Sequence, residues 1–262
     1  MFLAIDAGNS NVVFALFDEK SREWTNQFRL ETKAPKLISQ LSKKVPLYFL
    51  EHGIQPSEIQ KIGFSSVVPE INSIIEQFCE SYFGIKAYQI IPKSYQKIPV
   101  KPVRPNEIGS DLMCNVVAAF SRFQKPVIVV DFGTALTFTA VDAKGSILGV
   151  SIVPGLQTAI RSLFTHTSKL PEVELKLPDS ALGKNTIHAI QAGVLYGYTG
   201  LVKGMIESIR KEANLEFTVI ATGGLSSILT NLKDVFDAVD KNLTLERSEE
   251  HTSELQSQDL IS

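Results

Sequence analysis

The sequence has few cysteines and no long apolar run, and these two shortages exclude several classes of protein. Its 262 residues include only 2 cysteines, Cys79 and Cys114, which lack metal-ligand spacing. No stretch approaches the roughly 18 to 20 apolar residues that a membrane-spanning helix needs. The apolar residues 2–5 end at Asp6, too early for a signal-peptide core. We therefore expect a cytoplasmic protein with two free thiols, and one disulfide between them is the alternative.

The chain also lacks an excess of charge of either sign. It carries 26 Lys and Arg against 28 Asp and Glu, a formal net charge of −2. A protein that binds nucleic acid by neutralising phosphates normally shows a basic excess, so we expect no nucleic-acid partner and no membrane partner. The 44% of apolar residues exclude global disorder, and the length allows one or two domains with full cores.

Two segments of the chain, residues 3–18 and 128–142, resemble each other. Each reads as a buried strand, an Asp-x-Gly turn and a second strand that ends at an aspartate. The matched positions are Asp6 with Asp131, Gly8 with Gly133, and Ala15 with Ala140. Because the spacing is about half the chain, it indicates duplication of one domain type rather than a short repeat.

Each half then alternates between strands and helices. In the first half, the patterns predict a strand at 24–30, a helix at 36–52 and a strand at 61–68. The second half repeats this order, with a strand at 146–153, a helix at 186–213 and a strand at 218–221. This order predicts an α/β fold with mixed sheets and helices on their faces. The expected domains are residues 1–122 and 123–246.

The two turns carry residues that suit phosphate. Gly8 allows a tight turn, and the nearby backbone N–H groups with Asn9 and Ser10 can bind phosphate oxygens. Asp6 can hold Mg²⁺ directly or through water. The second turn offers Asp131, Gly133 and Thr134. Together the hairpins predict a nucleoside triphosphate site, and the alternative is a pair of ordinary hairpin turns.

A pair of glycines, Gly223 and Gly224, follows the predicted strand at 218–221. Glycines at a strand end let the backbone lie flat against a planar ring such as adenine. A simple turn is the alternative interpretation.

Asp111 is the candidate general base. Apolar residues at 113, 116, 117 and 120 predict a helix that begins just before it. The helix dipole favours an ionised carboxylate at this position, and such a group can accept a proton from a substrate hydroxyl. The alternative is that Ser110 or Asp111 only caps the helix.

These motifs together resemble the type III pantothenate kinases of the actin/hexokinase/sugar-kinase superfamily. The resemblance is carried by residues 6–10, 66–69, 131–135, 152–155, 183–186, 189–193 and 221–224. It implies duplicated ribonuclease-H-like (actin-like ATPase) domains. It also implies ATP-dependent phosphorylation of pantothenate to 4'-phosphopantothenate, the first step of coenzyme A biosynthesis.

The resemblance implies roles for individual residues as well. The ATP-binding residues would be Asp6, Ala7, Gly8, Asn9, Ser10, Asn11, Val12, Val13, Gly133, Thr134, Gly223 and Gly224. Asp111 would be the base, and pantothenate would contact Gly109, Ser110, Asp111, Leu112 and Thr186. Asp131 would bind K⁺ or NH₄⁺, and Mg²⁺ would accompany ATP near Asp6. The family also implies a homodimer whose subunits share the substrate pocket.

The chain departs from the family motif beside the base. The family reads Gly-Ala-Asp-Arg, whereas Leu112 stands here in the Arg position and cannot offer a planar cation to a carboxylate. An upstream aromatic residue is also replaced within 102–104, where Arg104 is a candidate substitute for the lost charge. These departures keep two alternatives open. One is a weakened ATP-binding paralogue that acts as a regulatory or partner subunit, and the other is a sugar-kinase-like enzyme with another acceptor.

The last segment, residues 247–262, has no apolar period and carries mostly acidic charge. Residues 247–257 match the in-frame translation of a short-read sequencing adapter. We hypothesise that this segment is not native, and a disordered acidic tail is the alternative.

Overall fold

The computed structural model describes residues 1–167, 169–241 and 243. The segment 247–262 lies outside the described residues. The strands are β1 (Phe2–Ala7), β2 (Asn11–Asp18), β3 (Glu23–Glu31), β4 (Lys61–Ser66), β5 (Tyr88–Gln89), β6 (Val127–Phe132), β7 (Ala135–Val141), β8 (Ile147–Pro154), β9 (Thr218–Thr222) and β10 (Ala238–Val239). The α-helices are α1 (Ala34–Glu51), α2 (Asn72–Phe83), α3 (Ser110–Phe123), α4 (Leu156–Thr165) and α5 (Thr186–Ala213).

The strands of the described residues form two sheets with the same topology. One sheet has the order β3-β2-β1-β4-β5, and the other has the order β8-β7-β6-β9-β10. In both sheets three antiparallel strands continue into two parallel strands. This repeated order confirms the predicted duplicated α/β fold with mixed sheets.

Strand register corrects one detail of the predicted match between the halves. Asp6 pairs with Val13, and Asp131 pairs with Thr137, so the two aspartates are equivalent. The first loop spans residues 8–10, whereas the second spans only 133–134. The longer first loop shifts the second strand by one residue. Ala15 therefore corresponds to Thr139, and its predicted match with Ala140 is wrong.

The chain divides into two compact units. The described part of the first comprises Met1–Ile98 and Arg104–Ala118, and the second comprises Pro99–Val103 and Ala119–Leu243. Helix α3 contributes its first nine residues to the first unit and the remainder to the second.

The core of the first unit lies around β1, β2 and β4 with α1 and α2. The Phe14 ring is fully buried and stacks on Phe28 at 4.9 Å between ring centroids. Cys79 is buried in this core, and burial raises the pKa of its thiol to about 12. Cys79 and Cys114 are both free and buried, which confirms the predicted free thiols. The disulfide alternative is wrong.

The core of the second unit lies around β6, β7 and β9, covered by α5. This helix has the predicted bounds because both of its ends are encoded locally. The Asn185 side chain accepts a hydrogen bond from the backbone N–H of His188, and Asn214 ends the helix with a positive φ of 50°. None of the helices that the structure describes combines the length and apolar character that a bilayer span requires.

We predict that Phe14→Ala lowers the free energy of unfolding of the first unit by about 3–5 kcal/mol, because it leaves a cavity in a closed core. Urea unfolding followed by tryptophan fluorescence measures this, since the single tryptophan, Trp24, lies in the same unit. Leu50→Ala is the control, because Leu50 is 77% exposed on α1, and it should change the value by less than about 0.5 kcal/mol. Equal losses in the two variants would contradict the assignment of this core.

Candidate active site

The first hairpin loop, residues 8–10, presents polar groups at the carboxyl end of β1. The Gly8 N–H donates to the Asn11 carbonyl at 3.0 Å, which closes the turn. Asn9, Ser10 and Asn11 are exposed. Asp6 lies at the end of the strand, directly opposite Ser65 of β4. This end of the strand therefore offers backbone N–H groups, two side-chain amides and a hydroxyl, which can bind phosphate oxygens. The carboxylate beside them can bind the metal ion that accompanies a phosphate.

Thr32 supports this loop, although no pattern in the sequence indicated it. Its buried hydroxyl donates to the Gly8 carbonyl at 2.7 Å, and its N–H donates to the Ser10 carbonyl at 3.3 Å. Thr32 follows β3, and only the pairing of β3 with β2 brings it beside the loop. A contact of this kind depends on the sheet and leaves no local signal that could have identified it.

The second hairpin loop is held from the start of α4. The Gly133 N–H donates to the Ala135 carbonyl at 3.1 Å. The Thr134 carbonyl accepts two hydrogen bonds, from the Gly155 N–H at 3.0 Å and from the Thr158 hydroxyl at 2.8 Å. The Thr134 side chain stays exposed. The loop backbone is therefore fixed by these bonds, and Thr134 lies at the surface of the second unit.

Gly155 is packed so closely that any side chain there would have to displace the neighbouring backbone. A Cβ atom at Gly155 would overlap the Gly133 carbonyl and lie 2.6 Å from the Thr134 carbonyl oxygen. Both neighbours are backbone atoms, so neither can rotate away. The predicted loop geometry thus depends on a glycine outside the predicted site.

Gly223 lies against the same loop. Its φ is +89°, and a Cβ there would lie 2.6 Å from Asp131 Oδ1 and 2.7 Å from the Phe132 carbonyl oxygen. Asp131 and Thr222 are opposite each other on the adjacent parallel strands β6 and β9. The structure therefore brings four predicted site residues together, namely Asp131, Gly133, Thr134 and Gly223. Gly224 follows directly and is exposed.

The start of α3 is anchored to the carboxyl end of β4. The hydroxyls of Ser110 and Ser65 are 2.9 Å apart, and the Ser66 N–H donates to the Ser110 hydroxyl at 3.2 Å. Because Ser65 is opposite Asp6, the anchor brings the helix carrying Asp111 next to the strand of the first loop. Ser110 is buried, and its hydroxyl is engaged by β4.

The Asp111 carboxylate bends back onto the helix start. Its Oδ1 accepts the Leu112 N–H at 2.8 Å, and a Cβ at Gly109 would overlap this oxygen. Gly109 thus leaves room for the carboxylate. The bond to Leu112 is consistent with the capping role that was the alternative interpretation, and a capping carboxylate can also accept a proton.

Burial raises the pKa of Asp111 above its usual range. The hydrogen bonds from the N–H groups of Leu112 and of Asp111 itself act in the opposite direction but are weaker. The sequence led us to expect that the helix dipole would favour the ionised form, and the structure shows that desolvation has the larger effect. A carboxylate with a raised pKa is a stronger proton acceptor.

A cavity of about 330 Å³ opens beside this helix start, within the first unit. Its lining includes Gly109, Ser110, Val67, Tyr95 and Glu107. No lysine or arginine lines it in the described part of the chain.

Arg104, the candidate substitute for the cation missing at Leu112, is paired with an acidic neighbour. Its guanidinium pairs with both carboxylate oxygens of Glu107 at 3.1 and 3.2 Å, and both side chains are exposed.

Thr186 lies in the second unit, at the first position of α5, and is exposed. It lines another cavity, of about 590 Å³, together with Lys184, Leu163, Ile190 and Val194. Gly109, Ser110, Asp111 and Leu112 belong to the first unit, so the predicted substrate residues are divided between the two units.

Comparison with known proteins gives one consistent family. The sequence profile of the type III pantothenate kinases matches residues 2–208. A type III pantothenate kinase of Myxococcus xanthus is 39% identical over 246 residues, which cover 94% of this chain and 95% of that protein. Another, of Brevibacillus brevis, is 40% identical over 247 residues and covers 94% of this chain and 95% of that protein.

Among solved structures, a protein assigned as a 2-dehydro-3-deoxygalactonokinase of Sinorhizobium meliloti superposes with a TM-score of 0.58. The match covers 97% of this chain and 96% of that chain at 13% identity, so it shows a shared sugar-kinase fold alone. Family membership rests on the sequence matches, which span most of the chain. The chain belongs to the type III pantothenate kinase family.

Proposed function

We propose that this protein transfers the γ-phosphate of ATP to the primary hydroxyl of pantothenate, which yields 4'-phosphopantothenate for coenzyme A synthesis. The observation that carries the proposal is the partly buried carboxylate of Asp111, held at the start of α3 next to the strand of the Asp6 loop. Relatives at about 39% identity over nearly the whole chain carry the name of this activity. They lend no support to the alternative of a regulatory ATP-binding paralogue.

In the reaction, the pantothenate hydroxyl oxygen forms a bond to the γ-phosphorus while the bond from that phosphorus to the departing ADP oxygen breaks. The hydroxyl proton passes to the Asp111 carboxylate. Gly109 gives this carboxylate its space, and the Ser110 anchor fixes the helix that carries it. These contacts position the base before substrate binds, which is where much of the catalytic effect of such a site originates.

The ATP phosphates bind at the loop formed by residues 6–13. Support comes from the exposed Asn9 and Ser10 and from the two Thr32 bonds that fix the loop backbone. Thr134, Gly133, Gly223 and Gly224 contribute nucleotide contacts from the second unit, where the backbone is equally constrained. Donors that are already held in place do not need to reorganise when charge moves.

Two cations fit the residues present. Among the described residues no group of three or more His, Cys, Asp or Glu is assembled, so Mg²⁺ would take most of its ligands from nucleotide phosphates and water, with Asp6 nearby. The Asp131 carboxylate and the Phe132 carbonyl lie close together beside Gly223, where the absent Cβ leaves space. Such an oxygen pair suits K⁺ or NH₄⁺. These cations would neutralise phosphate charge.

We further propose a cytoplasmic homodimer. The free, buried thiols suit a reducing compartment. On α5, Gly193, Gly197, Gly200 and Gly204 are exposed with open space beside each, so another surface can approach closely. In the same unit, the edge strand β8 exposes Leu148 and Ile152. These surfaces favour a self-association interface, and Thr186 would contact pantothenate within such an assembly.

We predict that Asp111→Asn lowers kcat for pantothenate phosphorylation by about 10²- to 10⁴-fold, because the amide cannot accept the proton. The KM for ATP should stay within a factor of two. A coupled assay of ADP release with pantothenate, Mg²⁺ and K⁺ measures both. Asp234→Asn, the same change at an exposed position, is the control and should leave both constants unchanged. Retention of kcat by Asp111→Asn would sink the assignment of the base.

We predict that kcat/KM for pantothenate falls on acidification at a pH above the ordinary aspartate pKa of about 3.9. Burial raises the pKa of Asp111, and below that pKa the carboxyl is neutral and cannot act as the base. The raised pKa also makes the free energy of unfolding depend on pH. Because the folded state binds this proton more tightly than the unfolded state does, stability falls as the pH rises and the carboxyl ionises. Asp111→Asn should therefore be more stable than wild type at neutral pH and equally stable below about pH 3.

Urea unfolding at the two pH values, run beside the pH-rate profile, checks both effects. A profile that stays flat down to pH 4, or a stability difference independent of pH, would contradict the role of the buried carboxyl.

We predict that Gly155→Ala raises the KM for ATP and lowers the free energy of unfolding by about 1–3 kcal/mol, since the added methyl group displaces the Gly133–Thr134 backbone. Gly149→Ala is the matched control, because Gly149 lies on β8 with nothing within 4 Å of the place that an added methyl group would take, and it should show neither change. Steady-state kinetics and thermal unfolding measure the pair. Equal KM values for ATP in both variants would contradict the proposal that the second loop binds the nucleotide.

A further inference from the structure

Tyr95 is a buried side chain whose polar group has no protein partner. It is 5% exposed, and it lines the cavity next to Gly109 and Ser110. Its hydroxyl makes no hydrogen bond with any other residue that the structure describes. This oxygen is not among the fully buried polar atoms that lack a partner, so it reaches the open space of the cavity, where a ligand can accept its hydrogen bond.

The neighbouring polar groups are satisfied, which singles out Tyr95. The hydroxyl of Ser94 is 2.9 Å from the hydroxyl of Tyr88 and accepts the Ile91 N–H at 3.3 Å. The hydrogen bonds that order this turn therefore do not involve the Tyr95 hydroxyl. The packing that holds the Tyr95 ring does not depend on its hydroxyl.

The surroundings keep the Tyr95 hydroxyl protonated. Burial raises the pKa of this phenol well above its usual range, and the Cys114 thiol and the Asp111 carboxylate act in the same direction. Tyr95 lines the same cavity as Ser110, the residue directly before the proposed base Asp111. At physiological pH the hydroxyl is thus a neutral hydrogen-bond donor.

The cavity does not suit the carboxylate of pantothenate. Its described lining has no lysine or arginine, and the one acidic residue of that lining, Glu107, is already paired with Arg104. Leu112 provides no cation either. A neutral donor in such surroundings is better matched to a neutral acceptor. Pantothenate offers two near its reacting end, the secondary hydroxyl and the amide carbonyl, and of these only the carbonyl is purely an acceptor.

We propose that Tyr95 is a specificity residue of this enzyme, whose hydroxyl donates a hydrogen bond to the amide carbonyl oxygen of the acceptor bound in this cavity. The inference rests on the proposed phosphorylation of pantothenate. It assigns the amide of the acceptor to the first unit, close to Asp111.

Tyr95→Phe tests the proposal, because it removes one oxygen atom and keeps the ring. The KM for pantothenate should rise about 2- to 12-fold, the range of one net hydrogen bond, while the KM for ATP stays unchanged. The alcohol analogue of pantothenate, in which a hydroxymethyl group replaces the carboxylate, should lose affinity by the same factor because it keeps the amide. Its KM or inhibition constant measures this.

Tyr88→Phe is the matched control. It removes a hydroxyl from the same segment, but that hydroxyl bonds to Ser94 and not to a ligand, so both KM values should remain those of wild type. Thermal unfolding completes the comparison. Tyr95→Phe should unfold at the wild-type temperature, and a loss of folding would show a structural partner and overturn the proposal.

The remaining outcomes are equally decisive. An active wild type with unchanged KM in Tyr95→Phe overturns the role of Tyr95 and leaves the kinase function standing. An effect on pantothenate but not on its alcohol analogue overturns the amide assignment in favour of the carboxylate. A wild type that does not phosphorylate pantothenate overturns the proposed function itself.

Discussion

The hydroxyl of Ser110 makes the contact on which the proposed acceptor site depends. It joins the first residue of α3 to Ser65 and Ser66 at the carboxyl end of β4. Since β4 lies beside β1, this contact brings the helix that carries the proposed base, Asp111, next to the strand that leads into the first hairpin loop. Gly109 then leaves the space into which the Asp111 carboxylate turns. Because β1 and β4 are adjacent parallel strands, the first hairpin loop and the Asp111 carboxylate lie at the same edge of the sheet.

The two phosphate-type loops are equivalent in topology but are stabilised differently. Thr32, which follows β3, fixes the first loop by a side-chain and a backbone bond. The second loop depends on Gly155 and Thr158 at the start of α4, which both bond to the Thr134 carbonyl. Duplication thus preserved the strand order and the aspartate at each strand end. The means of making each loop rigid diverged, and so did the length of the loop.

The cavity proposed to bind the acceptor lacks the cation that the family motif would place beside it. Leu112 replaces the family arginine, and Arg104 is already paired with Glu107. The described lining of the first-unit cavity therefore offers mainly neutral polar groups. A tyrosine hydroxyl without a protein partner becomes the feature best suited to bind the acceptor there, through a neutral group.

The sequence by itself determined the family, the duplication and the bounds of α5, because these follow from local patterns: repeated Asp-x-Gly turns, apolar periodicity and helix caps. It also identified Asp6, Asp131, Gly223 and Asp111 as candidate site residues. Only the tertiary structure identified Thr32 and Tyr95 and the packing role of Gly155, and only it showed that burial outweighs the helix dipole at Asp111. Each of these depends on contacts between segments far apart in the chain. Sheet pairing and burial create such contacts, and no local pattern records them.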